Sequence, residues 1–303
     1  MGAAEWALLL LLSVLWGGTF FFVEIALADL PPLTLVAARV TLAAAVLWAV
    51  AALRGAALPR DAHFWVAVAI MGAFNNIGPF TLIFWAQETI SGGLAAILNA
   101  TTPLWTVIVA HVATRDERAS AAKLAGVAIG LAGVAVVVGP AEPAGLGREA
   151  VAALAVVAAT LLYAFTGVFG RRFSGRDPVV VSAGQLSMST LMAVPLAIAL
   201  DRPWLLGAPS LATIAATVAL ALLSTALAYV IFFRLLARAG ATNLLLVTFL
   251  IPVTAILLGA VFLGERLEPR HFVGMALIGA GLAAIDGRLL RVHAFRRPET
   301  PGT

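Results

Sequence analysis

Ten apolar runs of roughly membrane-spanning length follow one another along this chain, separated only by short polar segments. They cover approximately residues 5–26, 33–53, 64–86, 93–112, 122–139, 150–170, 179–199, 210–233, 242–263 and 271–287. A span needs about 20 mostly apolar residues, and each run approaches or exceeds that. The runs are continuously apolar, whereas barrel strands alternate over about ten residues. Helices satisfy their own backbone hydrogen bonds in lipid, so the expected fold is an all-α membrane protein with ten transmembrane helices. Composition agrees. Only 11% of residues are charged and the mean hydropathy is +1.04. A soluble domain carries about 25% charged residues.

The sequence pI of about 10.6 would suggest nucleic acid in a soluble protein. Here the basic residues lie between apolar runs and read as topology signals, so no nucleic-acid partner is expected. With the N-terminus cytoplasmic, fourteen Lys and Arg fall on the cytoplasmic side and four on the other, with Arg39 inside a span. That asymmetry predicts a multi-pass protein of the bacterial inner membrane with both termini cytoplasmic. Residues 288–303 read as a basic cytoplasmic tail, disordered and touching anionic lipid headgroups. Cysteine is absent, and His63, His111, His271 and His293 have no metal-ligand spacing. No nucleophile–base pair or Walker-type segment is visible, so the chain reads as no enzyme, with no cofactor and no metal.

The two halves repeat. Glu117-Arg118 is followed by Gly126 and Gly133, and Glu265-Arg266 at the same spacing by Gly274 and Gly281. Pro103 matches Pro252, Phe84 matches Phe233, Ser13-x-x-Trp16 matches Thr160-x-x-Tyr163, and Pro32 matches Pro178. The offset stays between 146 and 149. The expected organisation is a first five-helix repeat over 1–140 and a second over 141–287. Five is odd, so the second copy enters the membrane inverted. Inverted repeats are a recurring design of secondary transporters.

The segment Trp16-Gly17-Gly18-Thr19-Phe20, the paired Pro103 and Pro252, the turn Gly264-Glu265-Arg266-Leu267 and the helix Gly274…Gly279-x-Gly281 resemble the drug/metabolite transporter superfamily, in particular its ten-span EamA-type members. The resemblance covers residues 5–287. It implies export of amino acids or similar metabolites, aromatic amino acids among them. The first repeat departs from the pattern, with Arg115-Asp116-Glu117-Arg118 where the family has Gly-Glu.

Polar groups inside a bilayer are costly, so their positions are informative. Asn76 pairs with Thr225 and Phe80 with Tyr229 at an offset of 149, and Asn99 lies just before Pro103. Trp16 and Tyr163 occupy equivalent mid-span places. These seven residues are the expected lining of a central substrate site, against the alternative of interhelical hydrogen bonding and bundle packing. Pro103 and Pro252 each remove an N–H and free a carbonyl; they read as hinges whose carbonyls accept a substrate ammonium, or as static kinks. Arg39 and Glu24 lie at similar depth and are expected to form an ion pair, the alternative being that Arg39 recognises a substrate carboxylate or gates the exit. The glycines of 126-x-x-x-130 and Gly274 read as close helix packing. No Asp or Glu falls at any midplane, which favours a neutral or zwitterionic solute over cation/proton antiport. One chain suffices to enclose a pathway. The expected function is an alternating-access exporter of a small metabolite. A lipophilic-drug exporter, a channel and a non-transporting scaffold or receptor remain as alternatives.

Overall fold

The computed structural model of the chain describes residues 2–114, 119–139, 147–244 and 246–286. Among these residues there are ten helices and no strand. We number them α1 (Ala3–Ala26), α2 (Pro32–Leu53), α3 (Ala62–Gln87), α4 (Gly92–Ala113), α5 (Ala121–Val138), α6 (Arg148–Phe173), α7 (Pro178–Leu200), α8 (Leu211–Gly240), α9 (Val247–Leu263) and α10 (Pro269–Asp286). The first eight are each long and apolar enough to cross a bilayer. The Glu117-Arg118 turn and the 288–303 tail lie outside the described residues.

Local chemistry sets the helix starts. Pro32 and Pro178 stand at first-turn positions, where the missing N–H costs nothing. Ser91, Ser120 and Ser210 cap α4, α5 and α8 through their hydroxyls, and Asp61 and Asp177 cap α3 and α7. Two boundaries differ from the sequence reading. Helix α8 continues through Arg234 and Arg238, and α9 starts five residues later, at Val247. Arginines at a span end carry long aliphatic stems that leave the charge free to reach water, so they need not stop a helix. Gly240, at φ 77°, interrupts the helix instead.

The packing is two-fold in pattern. Helix α2 lies against α7, and α5 against α10. Helix α1 packs on α8 and α9, while α6 packs on α3 and α4. Exchanging each helix with its counterpart five places along leaves this pattern unchanged. With five crossings per copy, the two repeats run in opposite senses through the membrane. The N-terminus and the α6–α7 turn share one face, here the near face. The α1–α2, α3–α4, α7–α8 and α9–α10 connections share the far face.

The α5–α10 pair has almost no side chain at its centre. A Cβ on Gly281 would lie 2.5 Å from the Gly126 carbonyl and 2.7 Å from the Gly130 nitrogen. A Cβ on Gly133 would lie 2.7 Å from the Gly274 carbonyl. Backbone therefore meets backbone, a contact only small residues permit and one that supplies close packing where lipid gives no hydrophobic drive.

This contact generates a test. Gly281→Ala is expected to destabilise the detergent-solubilised protein by about 1–3 kcal/mol through overpacking. Gly279→Ala, where no atom lies within 4 Å of the added carbon, should leave thermal unfolding unchanged or slightly improved. Parallel melting curves of the two variants check the difference.

Candidate functional site

Three helices contain π-helical turns, one of them at the far end of α9 (Gly259–Leu263), and the other two fall at matching places in the repeats. Gly72–Ile77 in α3 and Leu222–Leu227 in α8 are π-helical. Each such turn carries an extra residue and leaves ordinary i→i+4 bonds unmade, and such turns are frequent at functional sites. Side chains meet part of the cost. Thr225 Oγ1 donates to the Leu220 carbonyl five residues back at 2.9 Å. Ser189 Oγ accepts from Asn76 Nδ2 at 2.8 Å, and its hydroxyl is shared between the Gln185 carbonyl at 2.7 Å and the Gly72 carbonyl at 3.3 Å.

Between the repeats lies a cavity of about 740 Å3. Its deep end is walled by Phe20, Arg39, Ile83 and Phe84. Its middle is walled by Trp16, Asn75, Phe80, Asn99, Tyr163 and Tyr229, and Gly170, Arg171, Phe173, Ser174, Gly175 and Arg176 at the α6–α7 turn line its mouth. The cavity thus reaches the near face. Trp16 packs against Phe232 with ring centroids 5.5 Å apart, and Gln185 Nε2 donates to Tyr229 Oη at 3.3 Å.

Five of the seven lining candidates read from the sequence, Trp16, Phe80, Asn99, Tyr163 and Tyr229, are on the cavity wall. Asn76 and Thr225 are not. Asn76 is 0% exposed and faces Ser189, and Thr225 is 1% exposed and meets Arg39. Their neighbours border the cavity in their place, Asn75 partly exposed and Ser224 as buried as Thr225 but with its hydroxyl unpartnered. The π turns explain this symmetric shift. In an α-helix the residue sharing a face with Phe80 is four back, Asn76. With one extra residue in the turn it is five back, Asn75. The same arithmetic links Tyr229 to Ser224. Asn75 accepts from the Thr166 hydroxyl at 3.0 Å, a contact across to α6. Nothing in the residue pattern alone reveals a π turn.

The prolines behave differently from one another. Helix α4 breaks at Ala100–Thr101, just before Pro103, while Pro252 lies inside continuous helix. The Asn99 carbonyl, which Pro103 cannot bond, accepts from Thr102 Oγ1 at 2.8 Å, and the Leu98 carbonyl accepts from Thr101 Oγ1 at 2.7 Å. The Asn99 carbonyl therefore already has a donor, which corrects the reading of Pro103 as the source of a free acceptor for substrate. Asn99 Oδ1, by contrast, is buried without a partner.

The expected Glu24–Arg39 ion pair is not formed. Arg39 Nε donates to Thr225 Oγ1 at 2.9 Å, and its guanidinium lies 3.9 Å from the Phe80 ring centroid. Glu24 instead accepts from Gln87 Nε2 at 3.3 Å. Similar depth put both residues at one level of the bundle; helix rotation sends them to different partners.

Carboxylates tie the far face shut, each joining one repeat to a helix N-terminus of the other. Asp201, at the end of α7, accepts from the Thr34 amide and hydroxyl of α2 at 2.7 and 2.8 Å. Asp29 accepts from the Ser210 amide and the Thr213 hydroxyl of α8 at 2.8 and 2.6 Å. Glu265 accepts from the Gly92 and Gly93 amides of α4 at 3.1 and 3.0 Å. Exposed N–H groups and the helix dipole both favour an anion there. Gly264, at φ 68°, turns the chain back so that Glu265 can reach α4. The Thr213 hydroxyl and the Ser210 amide hold the Asp29 carboxyl below its ordinary value of 3.8.

Opposed repeats around a cavity that is open to one face and tied shut at the other have the architecture of a secondary transporter. A family model described as the EamA-like transporter family matches residues 4–139 and again 150–285, and the chain belongs to that family. It is 30% identical to a probable terminal-alkyne amino-acid exporter of Streptantibioticus cattleyicolor, over 100% of this chain and 99% of that one. It is 28% identical to a probable amino-acid metabolite efflux pump of Salmonella typhimurium, covering 93% and 94% of the two chains. It is also 28% identical to the uncharacterized inner membrane transporter YedA of Escherichia coli, covering 88% and 85%. A solved crystal structure at 23% identity superposes with a TM-score of 0.68 over 97% of this chain and 99% of that one, showing the shared fold.

Since the chain has no cysteine, single cysteines can report water access. Asn75→Cys is expected to react with a hydrophilic maleimide at least about tenfold faster than Asn76→Cys, since the two differ by burial of the whole side chain. Equal rates would remove the π-turn assignment. A second expectation concerns pH. A depressed carboxyl pKa stabilises the closed contact above the ordinary Asp value, and that stabilisation is lost only as pH falls through the lower folded value. Asp29 should therefore hold the far face shut at neutral and mildly acid pH. Labelling of a cavity cysteine from the far face should stay slow down to about pH 5.

Proposed function

We propose that the protein exports amino acids or comparable small metabolites across the inner membrane by alternating access. The observation that carries this reading is the cavity, open on the near face while three inter-repeat carboxylate contacts close the far face. The excess of Lys and Arg on near-face loops makes that face cytoplasmic and both termini cytoplasmic. The described state is then inward-open, ready to receive a cytoplasmic solute. The names of the Streptantibioticus and Salmonella relatives support the substrate class.

In this reading residues 1–140 and 141–287 are the two moving repeats and 288–303 a basic cytoplasmic tail against anionic lipid. Trp16, Asn75, Phe80, Asn99, Tyr163 and Tyr229 contact the solute. The break before Pro103 and the helix around Pro252 are the flexible points. One chain forms the whole pathway. The cavity wall carries aromatic rings for an apolar side chain and no Asp or Glu among its lining residues. That composition disfavours an exporter of cationic drugs. A scaffold would have no use for such a cavity.

Counterflow in proteoliposomes tests the reading. Liposomes preloaded with an unlabelled amino acid should accumulate the labelled one, with saturation, above the empty-liposome rate. Absence of exchange across a panel of the twenty amino acids would remove the substrate class. The far-face closure has its own test. Replacing Asp201 and Glu265 together by Asn and Gln leaves neutral acceptors but loses the charge-assisted part, about 1 kcal/mol each. Labelling of Thr19→Cys from the periplasmic side should rise about tenfold or more.

A further inference from the structure

Arg39 is a buried cation without a counter-ion. It is 4% exposed, deep in the cavity wall. A guanidinium has five N–H donors. Here Nε meets the Thr225 hydroxyl, and Nη1 is buried without any partner. The rings of Phe80 and Phe84 lie 3.9 and 5.8 Å from the guanidinium carbon. Aromatic faces offset part of the charge but accept no hydrogen bond in the guanidinium plane. No carboxylate lies within ion-pair range of Arg39 among the described residues. Glu24 is taken up by Gln87, and Glu265 by the start of α4. Removing a counter-ion from a buried charge is strongly destabilising, so an Arg left in this state points to a partner that arrives from outside the chain.

The rest of the cavity selects the sign of that partner. Its charged lining residues are Arg39, Arg171 and Arg176, with the last two at the mouth. Arg176 is paired with Asp61 at 3.3 Å, so the uncompensated charge is that of Arg39 at the base. A cleft with low-dielectric walls and an uncompensated cation at its base attracts anions. The planar fork of an Arg suits a carboxylate, which can take two parallel N–H bonds. The repeat related by pseudo-symmetry has Gln185 at the equivalent place, already bonded to Tyr229, so the charge is confined to one side of the cavity.

We propose that Arg39 is the carboxylate-binding residue of the transport site, and that the solutes carried have a free carboxylate on an apolar or aromatic body. The carboxylate docks on the guanidinium where Arg39 borders the cavity. The body of the solute lies along Trp16, Phe80, Tyr163 and Tyr229. This rests on the reading of the protein as an amino-acid or metabolite exporter, and it makes the carboxylate, rather than the ammonium, the group that the site demands.

Competition in counterflow tests it. The amino acid that the wild-type protein exchanges fastest from a panel of twenty is paired with its carboxamide and with its decarboxylated amine. The amide and the amine are expected to compete at least about tenfold more weakly than the acid, the loss of one charge-assisted hydrogen-bonded pair. This comparison needs no variant. Arg39→Gln should weaken the acid about ten- to a hundredfold and leave the amide nearly unchanged, erasing the preference. Arg39→Lys should retain part of it. Equal competition by acid and amide in the wild type, or a parallel loss of both in Arg39→Gln, would show a structural Arg and overturn the proposal. Exchange of no amino acid at all would overturn the transport reading, and this inference with it.

Discussion

Hydrocarbon offers a peptide group no hydrogen bond. Every departure from helical winding inside the membrane must therefore find its partner within the protein or in water. The departures in this chain obey that rule. The π turns of α3 and α8 are served by Ser189 and by Thr225 itself. The break in α4 is served by Thr101 and Thr102. These three border the cavity, whereas a third π turn, Gly259–Leu263 at the far end of α9, lies off the cavity wall and has its Gly259 carbonyl met by the Glu265 amide at 3.1 Å. Irregular backbone and polar side chains thus come as a set, and together they mark the centre of the molecule as the wet part of an otherwise apolar bundle.

The same accounting shapes the far face. Helix starts leave N–H groups without intrahelical partners. At three of those starts the acceptor is a carboxylate from the opposite repeat rather than a local cap alone. A bond that satisfies a helix end and also spans the two repeats makes closure of that face part of the fold's own hydrogen bonding. On the near face the corresponding inter-repeat contact among the described residues is Asp61–Arg176, exposed and 3.3 Å long. Exposed pairs contribute little. The difference between the two faces explains why the cavity reaches one of them.

Much of this could be read from residues alone. The ten spans, the duplication and the central aromatics Trp16, Phe80, Tyr163 and Tyr229 follow from hydropathy and from a near-constant offset. What could not be read falls into one kind. A repeat offset aligns Asn76 with Thr225 correctly, but it says nothing of which way either points. That depends on whether the turn holds four residues or five. Glu24 and Arg39 show the same gap: spacing gives depth in the membrane, whereas partnership depends on rotation about the helix axis. The mouth residues of the α6–α7 turn were legible only as topology signals, because their second role needs the cavity to be seen.

The glycine seam between α5 and α10 has a mechanical corollary. Where main chain rests on main chain, only a few flanking side chains such as Val137 and Ile285 could tilt or trade rotamers. The line of contact can pivot, but it cannot slide without driving a carbonyl into its neighbour. These two helices stand away from the cavity wall, so they behave as the spine of a bound book. In an alternating-access cycle, opening and closing would fall to the remaining eight helices, with the spine keeping the two covers in register.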